Sequence, residues 1–240
     1  MRKAAQCKRG SAAPGSMRRH TRRACSLLFA SALLSLNLFC LCFATLSYAD
    51  WITAVRDSEK VFSLAIDPTN TQVVYACIWH RGVFKTTNGG ASWKAGNEGL
   101  ATPNVTGLAV DPTNTKIVYA GTTNSGVFKT TNGGMSWSAA NTDLTGTYIT
   151  SLTIDPTNTQ ILYAGTRDGV FKSTNGGMSW KPVNTGLTST HIGSLAIDPT
   201  NTQVLYAGSE DAGVFKTTNG GVGSASEGHD TNGDRGELEK

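Results

Sequence analysis

Residues 105–137 read VTGLAVDPTNTKIVYAGTTNSGVFKTTNGGMSW, and their punctuation decides the fold. Residues 105–110 are β-branched or small and predict a short strand. Asp111-Pro112-Thr113-Asn114 predicts a turn, since Asp caps nearby backbone N–H groups and Pro presets φ. Residues 117–120 predict a second strand, 121–126 a polar turn and 127–130 a third strand. Thr131-Asn132-Gly133-Gly134 contains Asn-Gly, the strongest short hairpin signal. A fourth strand is expected to start at 136–138.

The phrase recurs. Its aspartates are Asp67, Asp111, Asp155 and Asp198, spaced 44, 44 and 43 residues apart. A near-constant period of that size identifies a repeat architecture. Four short antiparallel strands per repeat make one blade of a β-propeller. The strands are apolar on both faces, as a blade packed between two neighbours requires. The helical period of a helical solenoid is absent. The expected fold is therefore an all-β β-propeller of about four four-stranded blades. Tyr119, Phe128, Trp137 and their equivalents are expected to fill the spaces between blades.

Residues 61–104, 105–148 and 149–191 form three full copies, and 192–221 supply three strands of a fourth. Trp51 stands ten residues before Val61, close to the twelve between Trp93 and Val105. Residues 50–56 are thus expected to supply the missing strand and close the ring, which would leave no free sheet edge. The alternatives are a truncated larger ring, or a dimer in which two chains complete one ring.

Outside the repeats the composition changes. Residues 1–49 hold eight Lys or Arg and no acid; removing those eight from the chain's 21 basic residues leaves 13 against 17 acidic ones, a net of −4. That balance gives no support to nucleic-acid binding. Arg18, Arg19, Arg22 and Arg23 precede an apolar run over 27–46 and then Ser47-Tyr48-Ala49. This is the pattern of a signal peptide cut before Asp50, with Met17 as an alternative start. The expected location is secreted or periplasmic. The rival reading is an uncleaved segment anchoring the chain in a membrane; it is the one membrane contact expected. Residues 222–240 are polar and Gly-rich, and read as a disordered tail. Within the tail, Asp230-Thr231-Asn232-Gly233-Asp234 opens like a calcium loop, but Arg235 stands where the loop needs Gly. Four of five cysteines lie in the leader, so Cys77 can form no disulfide within the mature chain and reads as a small buried residue.

The segments 86–93, 130–137 and 173–180, with 217–221 as an incomplete fourth, resemble Asp-box (BNR) repeats, with Asn in place of the usual Asp. The Asn carbonyl can accept the same backbone N–H bonds. The resemblance covers 61–221 and implies a propeller of the kind found in sialidases, xyloglucanase-type glycoside hydrolases, sortilin-type receptors and photosystem assembly factors. The spelling is most similar to secreted bacterial BNR proteins and xyloglucanase-like propellers. In that family the box is a hairpin device away from the active site, and the fold alone does not select a role.

Function is therefore sought where the copies differ. Turns between strands one and two and between three and four share one face and are nearly identical. Turns between strands two and three share the other face with the blade-to-blade loops, and vary: Cys77-Ile78-Trp79-His80-Arg81, Thr122-Thr123-Asn124-Ser125, Thr166-Arg167-Asp168 and Ser209-Glu210-Asp211-Ala212, with Thr147-Tyr148 and Thr190-His191 in the blade-to-blade loops. Loops on a rigid scaffold commonly carry binding. The candidate ligand-binding residues are Trp79, His80, Arg81, Tyr148, Arg167 and His191. A glycosidase would need two carboxyl groups, for which Asp168, Glu210 and Asp211 are the candidates. Those residues also suit ordinary turns. A sialidase, whose family needs three arginines for the sugar carboxylate, is disfavoured, because of the four mature-chain arginines (Arg56, Arg81, Arg167, Arg235) only two lie in these loops and one lies in the tail, and no Tyr-Glu nucleophile pair accompanies them. His80 and His191 lack further ligands at metal spacing, so no metal and no cofactor are expected. The reading is an exported, non-catalytic scaffold for a glycan or partner protein; the alternative is a fragment or degenerate relative of a xyloglucanase-like hydrolase.

Overall fold

A computed structural model describes residues 59–222. The leader, the closing strand expected over 50–56 and the tail beyond Val222 lie outside the described residues. Blade 1 comprises β1 (Val61–Ile66), β2 (Val74–Ile78), β3 (Gly82–Thr86) and β4 (Lys94–Ala95). Blade 2 comprises β5 (Val105–Val110), β6 (Val118–Thr122), β7 (Val127–Thr130) and β8 (Ser138–Ala139). Blade 3 comprises β9 (Ile149–Ile154), β10 (Leu162–Thr166), β11 (Gly169–Ser173) and β12 (Lys181–Pro182). Blade 4 has β13 (Ile192–Ile197), β14 (Leu205–Ser209) and β15 (Val214–Thr217). Each sheet is antiparallel with its strands in chain order. Consecutive blades pack through their first strands, β1 on β5, β5 on β9 and β9 on β13. The protein is an all-β propeller-type chain of four-stranded blades, the last with three strands among the described residues.

Two details depart from expectation. Gly121 and Thr122 belong to β6 rather than to the turn, because the Thr122 N–H and hydroxyl both reach the Gly126 carbonyl at 2.9 Å. The fourth strands start later, at Ser138 instead of 136, because Trp137 is bonded elsewhere. Its N–H donates to the Glu98 carbonyl of the preceding blade at 2.8 Å, and its indole N–H to the Gly96 carbonyl at 2.8 Å. Trp180 repeats both bonds, to Thr142 and Ala140.

The interblade cores are made as the repeat predicts. Tyr119, Phe128 and Trp137 are buried. Between blades 1 and 2, Tyr75, Cys77 and Val83 meet Val105, Leu108, Val118, Phe128 and Trp137. Burial of each large side chain there contributes about 1.5–3 kcal/mol. A polar bond sets the register of the packing. The Tyr75 hydroxyl and the Lys85 ammonium both donate to the Gly133 carbonyl one blade ahead, at 3.3 and 2.9 Å. Tyr119 with Lys129 do the same to Gly176, and Tyr163 with Lys172 to Gly220. Cys77 is fully buried and its thiol is pushed up by desolvation, so it packs as a small apolar residue. Its slot is Gly121 in blade 2, where an added Cβ would lie 2.4 Å from Ile149. The corresponding neighbour of Cys77 is the smaller Val105.

Candidate functional site

The two faces separate as the strand order demands. On one, the turn after the third strand bonds back to the turn between first and second strands in every blade: Gly89 N–H to Gln72, Gly133 to Lys116, Gly176 to Gln160 and Gly220 to Gln203. Asp67, Asp111, Asp155 and Asp198 each accept the N–H and hydroxyl of the Thr two residues on and the N–H of the following Asn. Burial raises the Asp67 and Asp155 carboxyls, but these bonds and a Thr hydroxyl of the next blade (Thr115, Thr202) outweigh it and hold both below their ordinary value. Asn88, Asn132 and Asn175 accept the N–H of Ser92, Ser136 and Ser179 at 2.9, 3.0 and 2.9 Å. Each also donates from its amide to that serine's hydroxyl. This bond runs in a direction that a carboxylate could not supply.

The turns between second and third strands share the other face, and in blades 1, 2 and 4 they lean on the loops leading into their blades. Trp79 N–H bonds to Lys60, Thr123 to Asn104 and Glu210 to His191. Each of these turns closes on a glycine with positive φ: Gly82, Gly126, Gly169 and Gly213. In blades 1 to 3 an asparagine four residues beyond the tryptophan clips the turn. Asn97, Asn141 and Asn184 accept the N–H of Val83, Val127 and Val170, and donate to Arg81, Ser125 and Asp168. Sequence reasoning missed this clip, although the Trp-to-Asn spacing was visible in three copies.

The candidate residues fall into three local groups. In blade 1, the Trp79 ring packs on Phe62 with centroids 4.9 Å apart and on His80 at 4.6 Å. His80 adopts φ of 60°, the left-handed region that non-glycine residues enter rarely. Arg81 pairs with Glu59 and lies over the Phe84 ring at 5.0 Å. Phe62 and Glu59 were not anticipated, since neither lies in the turn. Between blades 2 and 3, the Arg167 guanidinium sits 3.9 Å over the Tyr148 ring. In blade 4, His191 Nδ1 lies 3.5 Å from Asp211 Oδ2.

Among the described residues no hydrogen bond joins the carboxyl candidates to one another. Asp168 and Glu210 are exposed. Asp211 accepts hydrogen bonds from the Ser189 and Ser209 hydroxyls at 2.5 and 2.7 Å, which with His191 hold it below its ordinary value. Among the described residues no three His, Cys, Asp or Glu converge on a point where a metal ion would fit, and no hydrogen bond or ring contact joins the three groups.

No family model and no curated protein matches the chain. Among solved structures it is similar to an ancestral GH74 enzyme, at 30% identity and a TM-score of 0.58 over 67% of this chain and 23% of that one. It is also similar to the Niastella koreensis GH74 enzyme (24%, 0.53, covering 68% and 29%) and to the extracellular domain of BT4673 from B. thetaiotaomicron (17%, 0.52, covering 66% and 21%). The chain spans less than a third of the length of each. These likenesses agree with the four packed sheets: the chain has a propeller-type, glycosyl hydrolase-like fold.

Proposed function

We propose that the protein is an exported, non-catalytic propeller of Asp-box type that binds a glycan on its variable-turn face. The observation that carries this reading is the blade 1 group. Trp79 is held by Phe62 and flanked by the exposed His80 and Arg81. An aromatic ring bordered by polar donors suits a saccharide, whose C–H faces stack on the ring and whose hydroxyls take the donors. Arg167 over Tyr148 offers a second such surface. The leader supports export. Absence of catalysis is favoured by Asp211: a general acid needs surroundings that raise its pKa, whereas this carboxylate is engaged in its own turn and lowered. The test is titration against a panel of soluble β-glucans and other oligosaccharides. Trp79→Ala is expected to weaken binding by about 10-fold or more, or about 1.4 kcal/mol. No binding to any member, or equal binding by the variant, overturns the reading.

A second reading is favoured by the 30% identity to an ancestral GH74 enzyme: a fragment or degenerate relative of a xyloglucanase-like hydrolase. Turnover of a β-glucan by the purified protein, abolished in Asp168→Ala or Glu210→Ala, would replace the scaffold by this enzyme.

A further inference from the structure

The interface between blades 3 and 4 has the walls of a tryptophan site, but the repeat breaks at the tryptophan. Trp93, Trp137 and Trp180 each stand three residues after the second glycine of their turn, whereas three residues after Gly221 stands Ser224. Residues 222–240 hold no aromatic that could replace it.

The walls can be checked one by one. Trp180 packs in a core with Val127, Ala140, Leu144, Leu162, Ala164 and Phe171. Their counterparts one blade on are Val170, Val183, Leu187, Leu205, Ala207 and Phe215, and all six line a single cavity of about 330 Å³. The side chains match in kind, with Val183 for Ala140 the one change. An apolar cavity accepts a group of the shape its walls were built around: roughly 150 Å³ holds a benzene ring, so this one has room for an indole.

The polar partners of a tryptophan are in place as well. Trp137 and Trp180 each donate the backbone N–H to the residue five beyond the preceding blade's tryptophan, and the indole N–H to the residue three beyond. Counted from Trp180, these acceptors are Thr185 and Val183, and both line the cavity. Neither carbonyl takes a backbone donor from the described residues. The neighbouring strand edge is open too. In blade 3 the residues after Trp180 pair with β11, Lys181 with Lys172 and Pro182 with Phe171. The corresponding edge of β15, at Lys216 and Phe215, pairs with no strand among the described residues.

We infer that this interface is a docking site for a tryptophan carried on an extended segment of a partner protein. The ring enters the cavity, its indole N–H on the Val183 carbonyl and its backbone N–H on the Thr185 carbonyl. The residues after it run antiparallel to β15 as a fourth strand. In such strand addition the main-chain bonds supply affinity and the pocket supplies selectivity. A tryptophan within a peptide suits the site better than a free indole, because the Thr185 carbonyl and the β15 edge recognise backbone groups that a free ring lacks. The residue after the tryptophan falls opposite Lys216, as Lys181 falls opposite Lys172, so an acidic residue there is preferred.

The test is anisotropy of a dye-labelled peptide with the sequence of residues 177–183, Gly-Met-Ser-Trp-Lys-Pro-Val, titrated with the full chain. Saturable binding is expected, weakened about 10-fold or more when the peptide's tryptophan is replaced by alanine. Glutamate in place of the peptide's lysine is expected to tighten binding about twofold, and equal affinity would overturn the pairing with β15. Leu187→Asp puts a carboxylate on the cavity wall and is expected to abolish binding with an unchanged β-type circular dichroism spectrum. Trp79→Ala is expected to leave peptide binding unchanged, so the glycan reading and this one stand or fall separately. No saturable binding, or equal binding by the alanine peptide or by folded Leu187→Asp, overturns the inference. Free indole binding as tightly as the peptide would overturn the partner segment in favour of a small molecule. Binding that appears only in Trp51→Ala would assign the cavity to the chain's own tryptophan and overturn it equally.

Discussion

The two faces of this protein are built on the same blades, yet one repeats and the other does not. At Asp67, Asp111, Asp155 and Asp198 the same carboxylate oxygen takes the same three donors. Across the sheet, the turns between second and third strands offer Trp79, Asn124, Arg167 and Glu210 in turn. The difference separates two kinds of constraint. A turn that must satisfy backbone groups next to a neighbouring blade has few solutions, and the chain uses one of them four times. A turn that points away is constrained only in its frame, the positive-φ glycine and the asparagine clip, and the residues between are free to vary.

This comparison can be broken by substitution. The largest effect is expected for Asp155→Ala, which strips the acceptor from Thr157 and Asn158; urea unfolding should show a loss of about 2–3 kcal/mol. Its counterpart Asp168→Ala, on the variable face, should stay within about 0.5 kcal/mol. Equal losses would mean that the faces are not differently constrained. Two of these carboxylates, Asp67 and Asp155, predict an acid limit. Their folded pKa lies below the ordinary 3.8, so their contribution is complete above that value and is lost as pH falls through the lower folded one. Melting temperature followed from pH 5 to pH 2 should drop in that window, and less steeply in Asp155→Ala.

Gly126→Ala sharpens the contrast, because it tests the frame of a variable turn. Gly126 has φ of 69°, and a Cβ there would lie 2.6 Å from Asn141 Oδ1. The expected loss is about 1–2 kcal/mol, while the adjacent Ser125→Ala should cost little beyond its own bonds. The smallest effect on the repeated face is expected for Asn132→Ala, about 1 kcal/mol for its bonds to the Thr130 hydroxyl, the Met135 and Ser136 N–H groups and the Ser136 hydroxyl, in a partly exposed turn.

Much of this architecture was legible because the repeat states it four times. The strands, the two turn faces and the burial of Tyr119, Phe128 and Trp137 all follow from period and residue type. The interblade bonds did not, since nothing in the spelling of Trp137 says that its N–H serves Glu98 of another blade; that bond shortened the fourth strand. The Asn97 clip was hidden for a different reason: it lies outside any regular element. At the candidate site the turns are shorter than read, since β2, β6, β10 and β14 run on to Ile78, Thr122, Thr166 and Ser209, and Phe62 enters from a strand. Pairing across a turn depends on side-chain direction, which a single copy of a sequence does not encode.

The most direct measurement is a paired one on Trp79→Ala and Asn132→Ala, recording glycan affinity and unfolding free energy for each. The account predicts that Trp79→Ala loses affinity and keeps its stability, while Asn132→Ala loses stability and keeps its affinity. Loss of affinity in Asn132→Ala with Trp79→Ala unaffected would contradict it, and would move the functional surface to the repeated face.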